Sequence, residues 1–248
     1  MPDREWFTTT HWSAVLAARG NDSKRARAAL ETLCRTYWYP LYAYVRRLGH
    51  SPHDTEDLIQ GFFEQVIEKD YFASADQEKG RFRSFLLVAL KRFMANQWNH
   101  QQTQKRGGAT SSSPAATPAA AASAGVTPSA EERYTLEPTD NLTPDKLFDR
   151  RWALTLLETV LARLESESRQ AGKAHHFERL KEFLTDAGRG TRYTEIARDL
   201  DLTEAAVKVA VHRLRRRYRE LLEAEIANTV ATPAEIADER RHLLSSLA

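Results

Sequence analysis

Between Tyr193 and Arg219 the chain concentrates side chains that bind anions. Ammonium and guanidinium groups pair with phosphate oxygens, and they also donate hydrogen bonds to the edges of bases. A basic helix is often only a solvated surface, so the spacing of these residues must decide between the two interpretations. The basic residues of this stretch are Lys208, His212, Arg213, Arg215, Arg216, Arg217 and Arg219.

Two helices joined by a tight turn would hold these cations. Apolar residues recur at the helical spacing of three and four on both sides of the turn, and each set predicts one buried stripe. Thr203 stands where an N-cap hydroxyl accepts a backbone hydrogen bond, so the second helix should begin near Glu204. The predicted stripes are Tyr193, Ile196, Ala197 and Leu200, then Ala206, Val207, Ala210, Val211 and Leu214. This pattern is typical of a helix-turn-helix whose second helix enters a DNA major groove.

A second basic segment runs from Arg81 to Arg106 and mixes cations with aromatic residues. Phosphates attract cations and unstacked bases stack on flat rings, so this combination favours single-stranded nucleic acid. A core helix with a polar end remains an equal alternative. The candidate contacts are Arg81, Arg83, Lys91, Arg92, Asn96, Trp98, Lys105 and Arg106.

An acidic helix is predicted from Pro52 to about Lys69, because Ser51 is a strong N-cap and Pro52 suits the first helical position. Its apolar residues should face inward. The polar face would then carry Asp54, Glu56, Asp57 and Gln60. Such a face is usually only solvated.

Composition excludes several classes of protein. The chain has 248 residues, 42% of them hydrophobic, and a formal charge of +2. Its one cysteine, Cys34, excludes an internal disulfide and a cysteine-rich metal site. No apolar run is long enough to span a bilayer, and the start is not a secretory signal, so we expect a cytoplasmic protein without membrane insertion.

Catalytic chemistry finds little support. A metal hydrolase would need ligands such as His50, His53 and Asp54, or His175 with His176. Adjacent histidines on a helix point about 100° apart and cannot easily share a metal. We therefore expect no enzyme, no catalytic residue, no metal, no cofactor and no small-molecule substrate.

The rest of the chain predicts an all-α fold without a convincing strand. Further helices are predicted over 6–19, from about 27 to 48 with a kink or break at Pro40, over 144–164 and over 175–185. Residues 107–143, rich in Ala, Ser and Pro and then acidic, read as a disordered linker. The predicted organisation is a helical domain at 1–106, this linker, a helix-turn-helix domain at 144–230 and a C-terminal helix at 231–248.

The chain resembles the extracytoplasmic-function (ECF) sigma factors of bacterial RNA polymerase over about 27–225. The run Asp54-Thr55-Glu56-Asp57-Leu58-Ile59-Gln60-Gly61-Phe62-Phe63 is similar to the family's region 2.2. The run Leu202-Thr203-Glu204-Ala205-Ala206-Val207-Lys208-Val209-Ala210-Val211-His212-Arg213 is similar to its region 4.2. The resemblance implies two small helical domains, a region 2-like bundle and a region 4-like helix-turn-helix domain, joined by a flexible linker.

What the resemblance implies about function is transcription initiation. Asp54, Glu56, Asp57 and Gln60 would bind the clamp helices of the largest subunit of core RNA polymerase, and the second domain would meet the flap of the second subunit. The basic aromatic helix would recognise and melt the minus-ten promoter element. The minus-thirty-five element would contact Thr203, Glu204, Ala205, Lys208, Val209, His212, Arg213 and Arg216. Family members are commonly held by an anti-sigma factor. An alternative is a helix-turn-helix repressor or activator that binds duplex DNA without polymerase.

Overall fold

Helices account for every regular element that the structure describes. The computed structural model describes residues 23–68, 81–107, 129–136, 142–184, 190–230 and 232–247, and no strand occurs in these ranges. The all-α prediction is therefore confirmed for them. The helix predicted over 6–19 and most of the predicted linker, 108–128, lie outside the described residues.

Nine α-helices are formed by the described ranges, with two short 3-10 helices between them. Their bounds are α1 Ser23–Arg47, α2 Pro52–Glu68, α3 Phe82–Gly107, α4 Ala130–Leu136, α5 Pro144–Gln170, α6 Ala174–Leu180, α7 Gly190–Asp199, α8 Glu204–Ala227 and α9 Ile236–Leu247. The 3-10 helices are Lys181–Leu184 and Pro233–Glu235.

Helix α1 continues through Pro40, so of the two predicted effects of this proline, a kink or a break, the break does not occur. Proline removes one backbone donor from a helix and usually bends or breaks it. Here Tyr37 and Leu41 on either side of the proline are fully buried. Their packing against neighbouring helices holds the helical path where the local sequence would interrupt it.

One hydrophobic core joins helices from both predicted domains. Tyr37 of α1 meets Phe82 of α3 edge to face at 5.0 Å between ring centroids, and it meets Phe148 of α5 at 6.4 Å. The same cluster of buried residues includes Ile59, Phe62, Leu86, Trp152, Leu221 and Leu243, from α2, α3, α5, α8 and α9. The two predicted domains are therefore in contact with each other, because α5 packs extensively against α1.

A buried ion cluster ties α3, α5 and α9 together. Glu239 of α9 is fully buried, with 0% of its surface exposed. Its carboxylate accepts a hydrogen bond of 2.6 Å from Arg83 Nε and lies 3.0 Å from Arg81 Nε. Arg83 also donates to Asp149 of α5 over 2.9 Å. Buried charges persist only when they are paired, so these contacts fix the three helices against one another.

The acidic part of the predicted linker is helical where it is described. Ser129 and Glu132 form a capping box at the start of α4: the Glu132 side chain accepts from Ser129 N at 2.7 Å, and Ser129 Oγ accepts from Glu132 N at 3.2 Å. Glu131 then binds Arg46 of α1 through both carboxylate oxygens, each 2.8 Å from a guanidinium nitrogen. Tyr42 donates to the same carboxylate over 2.7 Å. The prediction of disorder is wrong for Ala130–Leu136.

The attachment of α4 should depend on pH through Glu131. Hydrogen bonding from Arg46 lowers the pKa of the Glu131 carboxyl below its ordinary value. A group with a lowered pKa in the folded state stabilises that state above its unfolded pKa of about 4.3, and this contribution is lost as the pH falls through the folded pKa. Nuclear magnetic resonance signals of 130–136 should therefore move toward those of an undocked segment as the pH is lowered from 7 to about 3.

The control is Glu131→Gln, which has no proton to gain and should give a nearly flat profile in the same titration. Glu158→Gln removes the exposed partner of Arg133 and should leave most of the pH dependence in place. Identical profiles for the wild type and Glu131→Gln would show that another group controls the attachment.

Candidate nucleic-acid interface

The turn between α7 and α8 is built by two local motifs. At the end of α7, Leu202 N donates to Ala197 O over 2.8 Å and Asp201 N to Arg198 O over 3.4 Å, the hydrogen-bond pattern of a Schellman motif. Asp201 takes the left-handed conformation, φ 52°, which aspartate tolerates better than most residues. Thr203 Oγ1 then accepts from Ala206 N over 3.2 Å. The predicted N-cap and the predicted start of the second helix at Glu204 are both confirmed.

A small second core holds α7 against α8. Val207 and Val211 of α8 are buried against Ile196 and Leu200 of α7, and Phe183 of the preceding 3-10 helix stacks on Tyr193 at 4.9 Å. The other members of the predicted stripe, Ala206, Ala210 and Leu214, are partly buried. The helix-turn-helix geometry predicted from spacing is therefore present.

The residues predicted to contact the minus-thirty-five element all lie on the exposed side of α8 or at its N-cap. Their positions advance by one and three residues, which at about 100° per residue spreads those on the helix over roughly half of its circumference. Thr194 Oγ1 of α7 donates to Glu204 over 2.7 Å and links the two helices at this face. The exposed residues are Thr203, Glu204, Ala205, Lys208, Val209, His212, Arg213 and Arg216.

The arginines that follow on α8 are mostly engaged in the fold. Arg215 Nε donates to the backbone carbonyl of Phe183 over 2.8 Å. Arg217 binds Glu167 of α5 through two hydrogen bonds of 2.8 Å, and this contact lowers the pKa of the Glu167 carboxyl. Arg216 pairs with Glu220 one turn away, in a surface ion pair of the kind that contributes little to stability and leaves the guanidinium available.

The residues predicted to contact the minus-ten element fall into separate groups. The first two, Arg81 and Arg83, belong to the ion cluster. Arg83 is only 7% exposed, and both Arg81 and Arg83 are bound by Glu239 in the ion cluster. The Lys91 ammonium lies 2.6 Å from a carboxylate oxygen of Asp145 of α5 and 5.7 Å from the ring centroid of Tyr44. Hydrogen bonding to Asp145 raises the pKa of Lys91 above its ordinary value. In this arrangement Arg83 is too deeply buried to reach phosphate, and Arg81, which is partly exposed, is held by the same carboxylate.

The remaining predicted residues occupy different sides of α3. Arg92 and Asn96 are four residues apart, exposed and on one face. Trp98 is 61% exposed but lies two positions beyond Asn96, so it points roughly 160° away. Helix α3 continues through Lys105 and Arg106 to Gly107. The structure thus places the asparagine and the tryptophan, both predicted to contact the minus-ten element, on different faces of α3.

Trp98 instead lines a cleft of about 700 Å³ between the start of α2 and the second half of α3. The cleft brings together residues that the sequence assigned to different partners, namely Asp54, Asp57 and Trp98, with His50, Phe93 and Met94, which it did not assign. Two carboxylates at this cleft disfavour the phosphate backbone. Sequence reasoning missed the grouping because it depends on how α2 packs on α3, which no local pattern reveals.

The predicted polymerase-binding residues Asp54, Glu56, Asp57 and Gln60 are all exposed on α2. Asp54 also has a structural part, since it accepts from Ser51 Oγ over 2.6 Å while its N–H donates back to that oxygen over 3.2 Å. Gln60 Nε2 donates to Glu64 over 2.9 Å. These contacts hold the acidic face in a fixed orientation without burying it.

Among the described residues, no three or more histidine, cysteine, aspartate or glutamate side chains come close enough to hold a metal ion. None of the described helices is long and apolar enough to cross a membrane.

Replacing Thr203 with alanine should destabilise the helix-turn-helix, because the backbone N–H of Ala206 would lose its acceptor. Loss of an N-cap typically costs about 1 kcal/mol. Thr159→Ala on α5 is the matched control, since its hydroxyl only donates to the Thr155 carbonyl within a helix and alanine is the better helix former. Urea denaturation of both variants measures the difference. Equal midpoints for the two variants would contradict a capping role for Thr203.

Comparison of the chain with protein-family models, with curated proteins and with solved structures finds no match. Three features of the described residues therefore remain as indications of function. These are the exposed face of α8, the exposed acidic face of α2 and the pair Arg92 and Asn96 on α3.

Proposed function

We propose that the chain is a sigma factor, which binds core RNA polymerase and directs it to a promoter. The observation that carries the proposal is the capped helix-turn-helix of α7 and α8, with its polar and basic residues on the exposed face of α8. A helix presented in this way fits the DNA major groove, where its first turns reach base edges. The resemblance in the sequence supplies the rest of the proposal.

The chemistry of the α8 face suits one half of a promoter. Within the described part of the chain, Lys208 and Arg213 form no ion pair, and both side chains are exposed. Lys208 lies 5.7 Å from the ring centroid of Tyr193, which keeps its ammonium beside the turn. Arginine and lysine donate to guanine in the major groove, and the Glu204 carboxylate can accept from cytosine. A small number of such contacts gives modest affinity for DNA, so a partner must supply the rest of the binding free energy.

In this proposal that partner is core polymerase, and α2 provides the contact. Asp54, Glu56, Asp57 and Gln60 give an acidic and polar face suited to a basic partner surface. Arg92 and Asn96 on α3 would meet the minus-ten element. Unstacking a base costs a few kcal/mol, which again requires binding energy from the polymerase. The proposal places the protein in the cytoplasm and includes control by an anti-sigma factor.

Transcription with purified core polymerase tests the proposal against a repressor or activator that acts alone. The sigma factor should make core polymerase start at one position of a genomic fragment, while binding duplex DNA weakly by itself. A protein that binds a duplex site tightly without polymerase, and gives no start with it, would overturn the proposal.

Asp57→Ala and Gln60→Ala should each weaken binding to core polymerase, because each removes a polar group from the exposed face of α2 while burying nothing new. The expected loss is about 1 to 2 kcal/mol, as for a central polar contact of an interface. Fluorescence anisotropy of labelled protein titrated with core polymerase measures it. Glu178→Ala removes an exposed carboxylate on α6 and serves as the control. Unchanged affinity in both α2 variants would remove the polymerase assignment of this face.

Lys208→Ala and Arg213→Ala should lower promoter affinity of the polymerase complex by about 1 to 3 kcal/mol where the side chain reads a base edge. A loss that is equal on all sequences, with a salt dependence reduced by about one ion, would indicate a phosphate contact instead. Arg217→Ala is the contrasting variant, because Arg217 is held by Glu167 and should matter less for DNA. A larger DNA effect for Arg217 than for Arg213 would contradict the assigned face.

A further inference from the structure

Helix α9 is packed into the molecule by two fully buried residues, one apolar and one charged, and by the partly buried Ile236 and Leu247. Leu243 is fully buried in the main core, and Glu239 is fully buried beside it. Their immediate neighbours Leu244 and Asp238 are exposed, so α9 presents one face to the protein and one to solvent. The buried face packs against α5 and α8.

The charged contact is the specific part of this docking. Glu239 meets two arginines of the α3 segment, Arg81 and Arg83, and Arg83 also meets Asp149, which lies 3.2 Å from His242 of α9. The carboxylates of Glu239 and Asp149 balance the two guanidinium groups. Without Glu239 the arginines would face a single carboxylate in a buried site, which is costly because an unpaired buried charge loses its hydration.

The start of α3 lies close to the end of α8, and α9 contacts both. Phe82 N at the start of α3 donates to the carbonyl of Thr229, directly after α8, over 3.0 Å. Arg240 of α9 pairs with Glu223 of α8 at 3.1 Å. Helix α3, with Arg92 and Asn96, is thereby fixed relative to the helix that carries the candidate major-groove face.

In the docked arrangement the candidate DNA contacts of α3 and α8 lie too close together to span the two promoter elements. Lys91 of α3 contacts Asp145 at one end of α5, and Glu167 near its other end contacts Arg217 of α8. From Asp145 to Glu167 is about 33 Å and from Arg217 to Lys208 about 14 Å, at ~1.5 Å per helical residue. The two promoter elements lie roughly two helical turns apart, about 70 Å at ~35 Å per turn. The helical segments would fall short even if they were collinear, and α5 and α8 pack side by side.

We propose that the C-terminal segment 232–247 is an autoinhibitory element, in which Glu239 closes the molecule by pairing with Arg81 and Arg83. Undocking of α9 frees the two arginines and removes one of the contacts that hold α3 near α8, so that the remaining ones, the shared core and the Phe82–Thr229 hydrogen bond, yield when core polymerase binds. The inference rests on the proposed sigma function and adds that α9 controls this function. In the closed form α9 is docked, and core polymerase binds the open form, in which α9 is undocked.

The test uses the full chain and two ways of undocking α9. Glu239→Gln removes the charge, with Asp238→Asn as its exposed neighbour for control. Leu243→Ala removes the apolar contact, with Leu244→Ala as its control. Hydrogen exchange of α9 and of the first turn of α3 should become roughly a hundredfold faster in the first member of each pair. Exchange of α7 and of the first turns of α8, which hold the helix-turn-helix, should stay unchanged, which shows that the variants remain folded.

The second measurement is run-off transcription at a limiting concentration of core polymerase. Both undocked variants should give about tenfold more specific transcript than the wild type, since the closed form lowers apparent affinity by the fraction that is open. Faster exchange with no gain in transcript, or unchanged exchange, would overturn the inference while wild-type transcription still supported the proposed function. No specific transcript from the wild type and from either undocked variant would overturn both.

Discussion

A carboxylate that has lost all contact with water must find its partners inside the protein, and Glu239 finds them in segments far from it in sequence. Its pairing with Arg81 and Arg83, and the pairing of Arg83 with Asp149, joins α3, α5 and α9 around one point. The guanidinium of Arg83 also lies 5.3 Å from the ring centroid of Trp152, so the charged cluster and the aromatic core are continuous. The apolar contacts around it tolerate small shifts, whereas buried charges do not. This cluster therefore sets how the two halves of the chain fit together.

The need to pair buried charges divides the basic residues into two groups, those that stabilise the fold and those that stay exposed. Arg81, Arg83, Arg215 and Arg217 bind carboxylates or backbone carbonyls of other helices. Lys208, His212, Arg213 and Arg92 remain exposed. Residue type does not distinguish the groups, since arginine suits buried pairs and phosphate recognition equally well. What distinguishes them is whether an acidic or carbonyl partner lies within reach of the folded backbone, and the surface left for DNA is what remains after those pairings.

Local physics made the helix-turn-helix predictable. The stripe of Val207 and Val211 follows from helical periodicity, and the start of α8 follows from the Thr203 hydroxyl, both of which can be read from a few neighbouring residues. Helix α4 had a local signal too, the capping box of Ser129 and Glu132, but its composition suggested disorder, and its pairing with Arg46 spans 85 residues. Arg83 had no local signal, because its partner Glu239 lies 156 residues away. The continuity of α1 through Pro40 likewise comes from burial of its flanking residues.

The division of charge also limits what each surface can do by itself. Helix α8 keeps a contiguous exposed face, which in the proposed function selects a DNA site, and its few exposed cations would give only modest affinity. Helix α3 keeps Arg92 and Asn96 on one side, while Trp98 lies with Asp54 and Asp57 at a cleft whose carboxylates repel phosphate. A flat ring beside acidic groups suits a protein partner with cationic or apolar side chains better than a DNA strand. The described fold therefore places its candidate partner contacts and its candidate DNA contacts on separate surfaces.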